Sequence, residues 1–193
     1  MRNMFDYMHL GDLLAFKGTS RSADHMVSDY LSGKFRSLLS RFLTKPTNFR
    51  NVMRSTNSII SGSAALEYIL PRNNTWRASD LDIYVPHHQF NRVVTYLVIF
   101  GLYKPVFPQD VQSHYNGAII QVVRLQNGNL QIDVIQSASV SALHPTTLFW
   151  NTALTNGISA DGVYCAYPRL TLHLRGLISP CNLIGHTTPT NAL

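Results

Sequence analysis

The stretch GAIIQVVRLQNGNLQIDVIQ, residues 117–136, constrains the fold more than any other part of the chain. Two runs rich in β-branched residues flank Asn127-Gly128. Asn-Gly between such runs is the strongest short-range hairpin signal. The chain therefore holds an antiparallel strand pair. That pair needs an apolar layer over it, because an isolated hairpin is marginal in water. Asp133 lies inside the second run, between Ile132 and Val134. A carboxylate buried there without a partner is costly, so the hairpin raises a chemical question as well as a folding one.

The remaining elements follow from periodicity and punctuation. Val27, Tyr30, Leu31, Phe35, Leu38, Leu39 and Phe42 fall at helical spacing and predict a helix over 25–43, ended by Lys45-Pro46. A short helix follows over 48–55. Ile59-Ile60 reads as a strand, Ser61-Gly62-Ser63 as a turn and 64–70 as a helix. Residues 71–79 are a turn-rich loop, 81–85 a strand ended by Pro86, and 88–102 a helix closed near Gly101. Beyond the hairpin, 144–154 reads as helix and 162–168 as a short strand, while 170–178 fits either. Residues 1–22 carry mixed signals and read as a loosely attached arm. The predicted class is α+β: a small mixed β-sheet with flanking helices and an N-terminal helical segment.

Composition narrows the function. Of 193 residues, 45% are hydrophobic and 13% charged, as in a globular chain and unlike a disordered one. The net charge of +6 favours anionic partners. Most of the excess lies in residues 1–57, with nine Lys/Arg against four Asp/Glu. That basic segment is expected to pack on the main domain; a charged outer face on packed helices is the commoner outcome, and phosphate contacts to nucleic acid are the alternative. The longest apolar run, residues 93–103, is 11 residues, whereas a membrane span needs about 20. No membrane association is expected. The N-terminus lacks the apolar core and cleavage site of a signal peptide. Cys165 and Cys181 have no partners at metal-ligand spacing, which points to a reducing interior, cytoplasm or nucleus. The tail, residues 179–193, is polar, turn-rich and expected to be disordered.

The segment SDLDIYVP, residues 79–86, places Asp80 and Asp82 on one face of a strand. With Asp133, three carboxylates in apolar strands call for a counter-charge. Hard oxygen ligands in a small cluster suit Mg2+ or Mn2+, which complete their shells with water and substrate phosphates. Upstream, Gly62-Ser63 opens a helix. A helix N-terminus is an anion site, and glycine lets the backbone approach closely. Ser63 is also suited to cap that helix. A phosphate cradle, a carboxylate pair and a third carboxylate are parts for metal-assisted phosphoryl or nucleotidyl transfer.

In that order, IISGSAAL, SDLDIYV and LQIDVIQ resemble the nucleotidyltransferase fold of the DNA polymerase β superfamily. The resemblance covers about residues 58–136 and makes 58–178 a nucleotidyltransferase-like domain. It implies that Asp80 and Asp82 bind two metal ions that hold an NTP. It implies that Asp133 completes the metal site serving the attacking hydroxyl, or acts as its base. Gly62 and Ser63 would hold the β- and γ-phosphates. The reaction would join a nucleoside monophosphate to an acceptor hydroxyl and release pyrophosphate. The chain departs from the family in its long Ser63–Asp80 connection and in the short segment after Asp133, where the family places a helical substrate-gripping domain.

Plainer readings stand beside these. The less favoured alternative for Asp133 is an ordinary cross-strand ion pair with Arg124. Asp80 and Asp82 fit a strand entry and a solvent-facing position. Arg72 and Arg77 read as a solvated basic loop, or as counter-charges for a triphosphate. Trp76 packs or stacks on a base. His87-His88 open the next helix and make no metal site. Neither a Gly-x-Ser-x-Gly elbow nor a phosphate loop ending in Gly-Lys-Ser/Thr is present. The competing functions are a nucleotidyltransferase, an inactive NTP- or nucleic-acid-binding module of the same fold, and a nucleic-acid-binding domain driven by the basic N-terminal half. Acceptor, nucleotide and oligomeric state stay open.

Overall fold

The computed structural model describes residues 4–72, 76–106 and 117–179. Its centre is a mixed sheet of β1 (Ile59–Ser61), β2 (Asp80–Val85), β3 (Lys104–Val106), β4 (Ile119–Asn127), β5 (Leu130–Ser137), β6 (Asn156–Ile158) and β7 (Val163–Cys165). The seven strands lie in the order β3-β4-β5-β2-β1-β6-β7. β2 and β5 run parallel, and each other neighbouring pair is antiparallel. A parallel neighbour needs a long crossover. Here it runs through α5 (Phe90–Ile99), β3 and β4. The helices α1 (Leu10–Lys17), α2 (Arg21–Ser40), α3 (Pro46–Thr56), α4 (Gly62–Ile69), α5 and the short α6 (Pro168–Thr171) complete an α+β fold.

Strand alternation sorts the sheet into two faces. Ile60, Leu81, Ile83, Val85, Leu125, Ile132, Val134 and Ile158 point into the main core, against Phe35, Leu39, Phe49, Met53, Tyr68, Val93 and Leu97 of the helices. The other face carries Ile59, Tyr84 and Ile135 in a smaller cluster with Ala142 and Phe149. Asp80, Asp82, Arg124 and Asp133 share that second face by alternation along β2, β4 and β5.

The hairpin turn sits one residue later than the sequence suggests. Asn127 pairs with Leu130, so the two-residue loop is Gly128-Asn129. Gly128 adopts φ +58°, and glycine first in a two-residue loop is the other favoured hairpin geometry. The shift alters the register. A loop at Asn127-Gly128 would set Arg124 against Gln131, whereas Arg124 faces Asp133.

Other differences have identifiable causes. The N-terminal segment is packed: Phe5, Leu13 and Val27 form a small buried cluster flanked by Phe16 and Tyr30. Ser20 opens α2 by accepting from the Ala23 N–H. The helix expected over 144–154 is two short 3-10 turns, His144–Leu148 and Thr152–Leu154. Between them Phe149 turns extended and sets its ring edge-on to Tyr84, centroids 5.8 Å apart. Helix α5 ends at Ile99, and the left-handed residue after it is Leu102, φ +58°, not Gly101. Gly101 is needed for closeness instead: a Cβ there would lie 2.6 Å from the Leu97 carbonyl. His87 and His88 lie in a 3-10 turn ahead of α5. Among the described residues, no helix is long and apolar enough to cross a membrane. The expected tail lies outside the described residues beyond Ser179.

Candidate functional site

The site forms where β1, β2 and β5 meet the start of α4. β1 runs directly into α4, and the junction is Gly62 at φ +66°. That left-handed conformation favours glycine. Space demands it as well: a Cβ on Gly62 would stand 2.5 Å from Asp82 Oδ2. The Asp82 carboxylate therefore lies against the backbone that opens α4. Ser61 takes the N-cap position and no side chain caps the helix. Ser61 Oγ donates instead to the Asn156 carbonyl, tying β1 to β6. Ser63, expected as a cap, turns its hydroxyl to Asp80 Oδ1 at 3.3 Å. The first-turn N–H groups of α4 are thus left without a side-chain acceptor, as an anion site requires.

The third carboxylate lies beside the pair. Asp82 and Asp133 are register partners on the parallel strands β2 and β5, which run about 4.8 Å apart. Asp133 is 8% exposed. Arg124 holds it in a two-pronged ion pair, Nε to Oδ1 at 3.0 Å and Nη2 to Oδ2 at 2.9 Å. Gln131 adds a longer contact at 3.4 Å. The cross-strand pair thus lies on the same sheet face as Asp80 and Asp82.

Electrostatics are set by this crowding. Burial, then the charges of Asp80 and Asp133, push Asp82 up to about 7, while Arg124 pulls the other way. Arg124 is held above its usual range, first by its hydrogen bond with Asp133, and also by the charges of Asp133, Asp80 and Asp82. Three carboxylates therefore share one arginine.

The donor set suits a divalent cation at the Asp80–Asp82 pair: two hard oxygen ligands on one face, one with its charge opposed by its neighbours. Asp133 contributes less openly, since both its oxygens accept from Arg124. A carboxylate has about four lone-pair sites, so capacity remains. No set of three or more His, Cys, Asp or Glu gathered as for a metal ion is found among the described residues.

The other predicted candidates lie elsewhere. Arg77 approaches Glu67 at 3.6 Å and donates to the Trp76 and Arg72 carbonyls. Trp76 is 40% exposed. Several N-terminal cations are bound internally. Arg54 grips Asp161 with two nitrogens, at 2.7 and 2.5 Å, and Arg50 donates to the Ala160 carbonyl at 2.6 Å. Arg41 forks onto Glu67 at 2.8 and 2.9 Å. Such cations are less available to phosphates than the charge count suggests. The chain matches no family model, no curated protein and no solved structure.

Proposed function

We propose that this protein transfers a nucleotidyl group from an NTP to a hydroxyl acceptor in a metal-dependent reaction that releases pyrophosphate. One observation carries the reading: Gly62, Ser63, Asp80 and Asp82 meet at one junction, with Gly62 stripped of a Cβ where Asp82 needs the room. A plain strand-to-helix turn has no reason to press a carboxylate against a helix start and set a second one within reach of the next serine. Asp80 and Asp82 would hold Mg2+ or Mn2+, which supplies positive charge to a triphosphate. The uncapped start of α4 with Gly62 and Ser63 would take its outer phosphates. Asp133, beside Asp82, would orient the acceptor hydroxyl and draw off its proton.

A second reading is favoured by a specific contact. Both oxygens of Asp133 are engaged by Arg124, which suits a module that binds NTP and does not turn it over. Labelled NTPs with Mg2+ or Mn2+, with and without RNA and protein acceptors, separate the two. Pyrophosphate release and label transfer, both lost in the Asp80→Asn/Asp82→Asn double variant, are the expected result. Binding without turnover selects the inactive module. If the double variant binds NTP with Mg2+ as well as the wild type does, both readings fail.

A further inference from the structure

At the far end of α4 from Gly62, a second cluster of charges surrounds a cavity of about 90 Å3. Its wall includes Lys34 and Ser37 of α2, Arg41 just after that helix, Glu67 of α4, and Arg72 and Arg77 of the following loop. Four cations thus line a space with one carboxylate. That carboxylate is already committed. Glu67 accepts both terminal nitrogens of Arg41 and the Ala78 N–H at 2.8 Å. Arg77 also approaches Glu67, at 3.6 Å, so Glu67 is the carboxylate that the cations of this wall share.

One donor in this wall is under-used, and another lies behind it. Arg41 Nε is too deeply buried to face the cavity and has no hydrogen-bond partner, a state that normally costs free energy. Lys34 is 9% exposed, and its ammonium donates to the Leu70 carbonyl at 2.6 Å. An ammonium carries three donors. Arg72, by contrast, is exposed, with Nη2 only 3.5 Å from Ser37 Oγ. A cavity of this size equals several water molecules, enough for one tetrahedral oxyanion. Membranes and nucleic acid meet flat basic faces, whereas here exposed Arg72 and Ser37 rim a concave space with Lys34 buried in its wall.

We propose that this pocket binds a single phosphoryl-type oxyanion, as free phosphate or as the terminal group of a small phosphate ester, with Lys34, Arg41, Arg72 and Ser37 as its contacts. Guanidinium and ammonium groups around a concave space are the chemistry such an anion selects. The site is independent of the acidic face, needs no divalent cation, and involves neither Asp80 nor Asp82. Its charge state supports it. Lys34 is lowered to about 8, first by burial and then by Arg72, with Arg77 acting the same way and Glu67 and Asp6 opposing. A bound anion would relieve that repulsion.

The test is titration of the full chain with inorganic phosphate in EDTA at fixed ionic strength, read by calorimetry and by thermal melting. Saturable binding is expected in the wild type and in the Asp80→Asn/Asp82→Asn double variant. Arg72→Gln, at an exposed side chain that folding tolerates, is expected to weaken it about tenfold or more. Arg92→Gln, an exposed arginine outside the pocket, should change affinity less than twofold. Ribose 5-phosphate in a parallel arm distinguishes an ester from the free ion by which binds tighter. With sulfate, whose charge is constant, affinity should fall as pH rises from 7 to 9 and Lys34 loses its proton. No saturable binding, or equal weakening by Arg72→Gln and Arg92→Gln, overturns the proposal. Loss of binding in the Asp80→Asn/Asp82→Asn variant assigns the anion to the acidic face and overturns it too.

Discussion

At the scale of single residues, Asp82 is strongly shifted by its surroundings. Its folded pKa, about 7 against 3.8 for a free side chain, has a direct consequence for stability. A carboxyl with a raised folded pKa binds its proton more tightly in the native state. It therefore costs no stability below about pH 4, and stability falls as pH rises from there toward 7. The groups facing it are Asp80, Asp133 and Arg124. Asp82→Asn removes the titration. Denaturant unfolding should show the variant more stable than wild type at pH 8, by up to roughly 4 kcal/mol, since each pKa unit is about 1.4 kcal/mol. The gap should close near pH 4. A gap independent of pH would contradict this account. A strongly shifted group of this kind is a candidate functional group.

At the scale of elements, the β4–β5 hairpin shows how one residue of turn placement decides an ion pair. Its two runs and their strand character are legible in β-branched residues and in the Asn127-Gly128 signal. The pairing is not, because Asn127-Gly128 and Gly128-Asn129 both make acceptable two-residue loops. Only the latter sets Arg124 opposite Asp133. A double-mutant cycle with Arg124→Gln and Asp133→Asn should report a coupling of roughly 1–2 kcal/mol. That exceeds the value typical of an exposed pair, about 0.2–1 kcal/mol, because the Asp133 side chain is only 12% exposed and the contact is bidentate. A coupling below about 0.5 kcal/mol would mean Asp133 draws its support from elsewhere on the acidic face. The broken helix at 144–154 belongs to the same scale. Phe149 is extended between the two 3-10 turns, and its ring meets Tyr84 edge-on.

At the scale of the whole molecule, helices cover one face of the sheet, while the acidic residues lie on the other. The N-terminal segment belongs to the packed body. Leu13 is 1% exposed, and Leu13→Ala should cost roughly 2–5 kcal/mol in thermal or denaturant unfolding. A loosely attached arm would give no measurable change. Local signals by themselves carried the α+β class, the two strands of the hairpin and the strand–turn–helix at Ile59 to Ile69, and they named the five candidate residues Gly62, Ser63, Asp80, Asp82 and Asp133. Each depends on spacing along the chain, and periodicity and glycine placement report spacing directly. Tertiary structure decided what lies across from what: the parallel pairing that sets Asp133 beside Asp82, the grip of Arg124, and the pocket enclosed by α2, α4 and the loop after α4. Those contacts join residues from 9 to 51 positions apart. Their geometry is set by strand order and helix packing, and no local pattern encodes either.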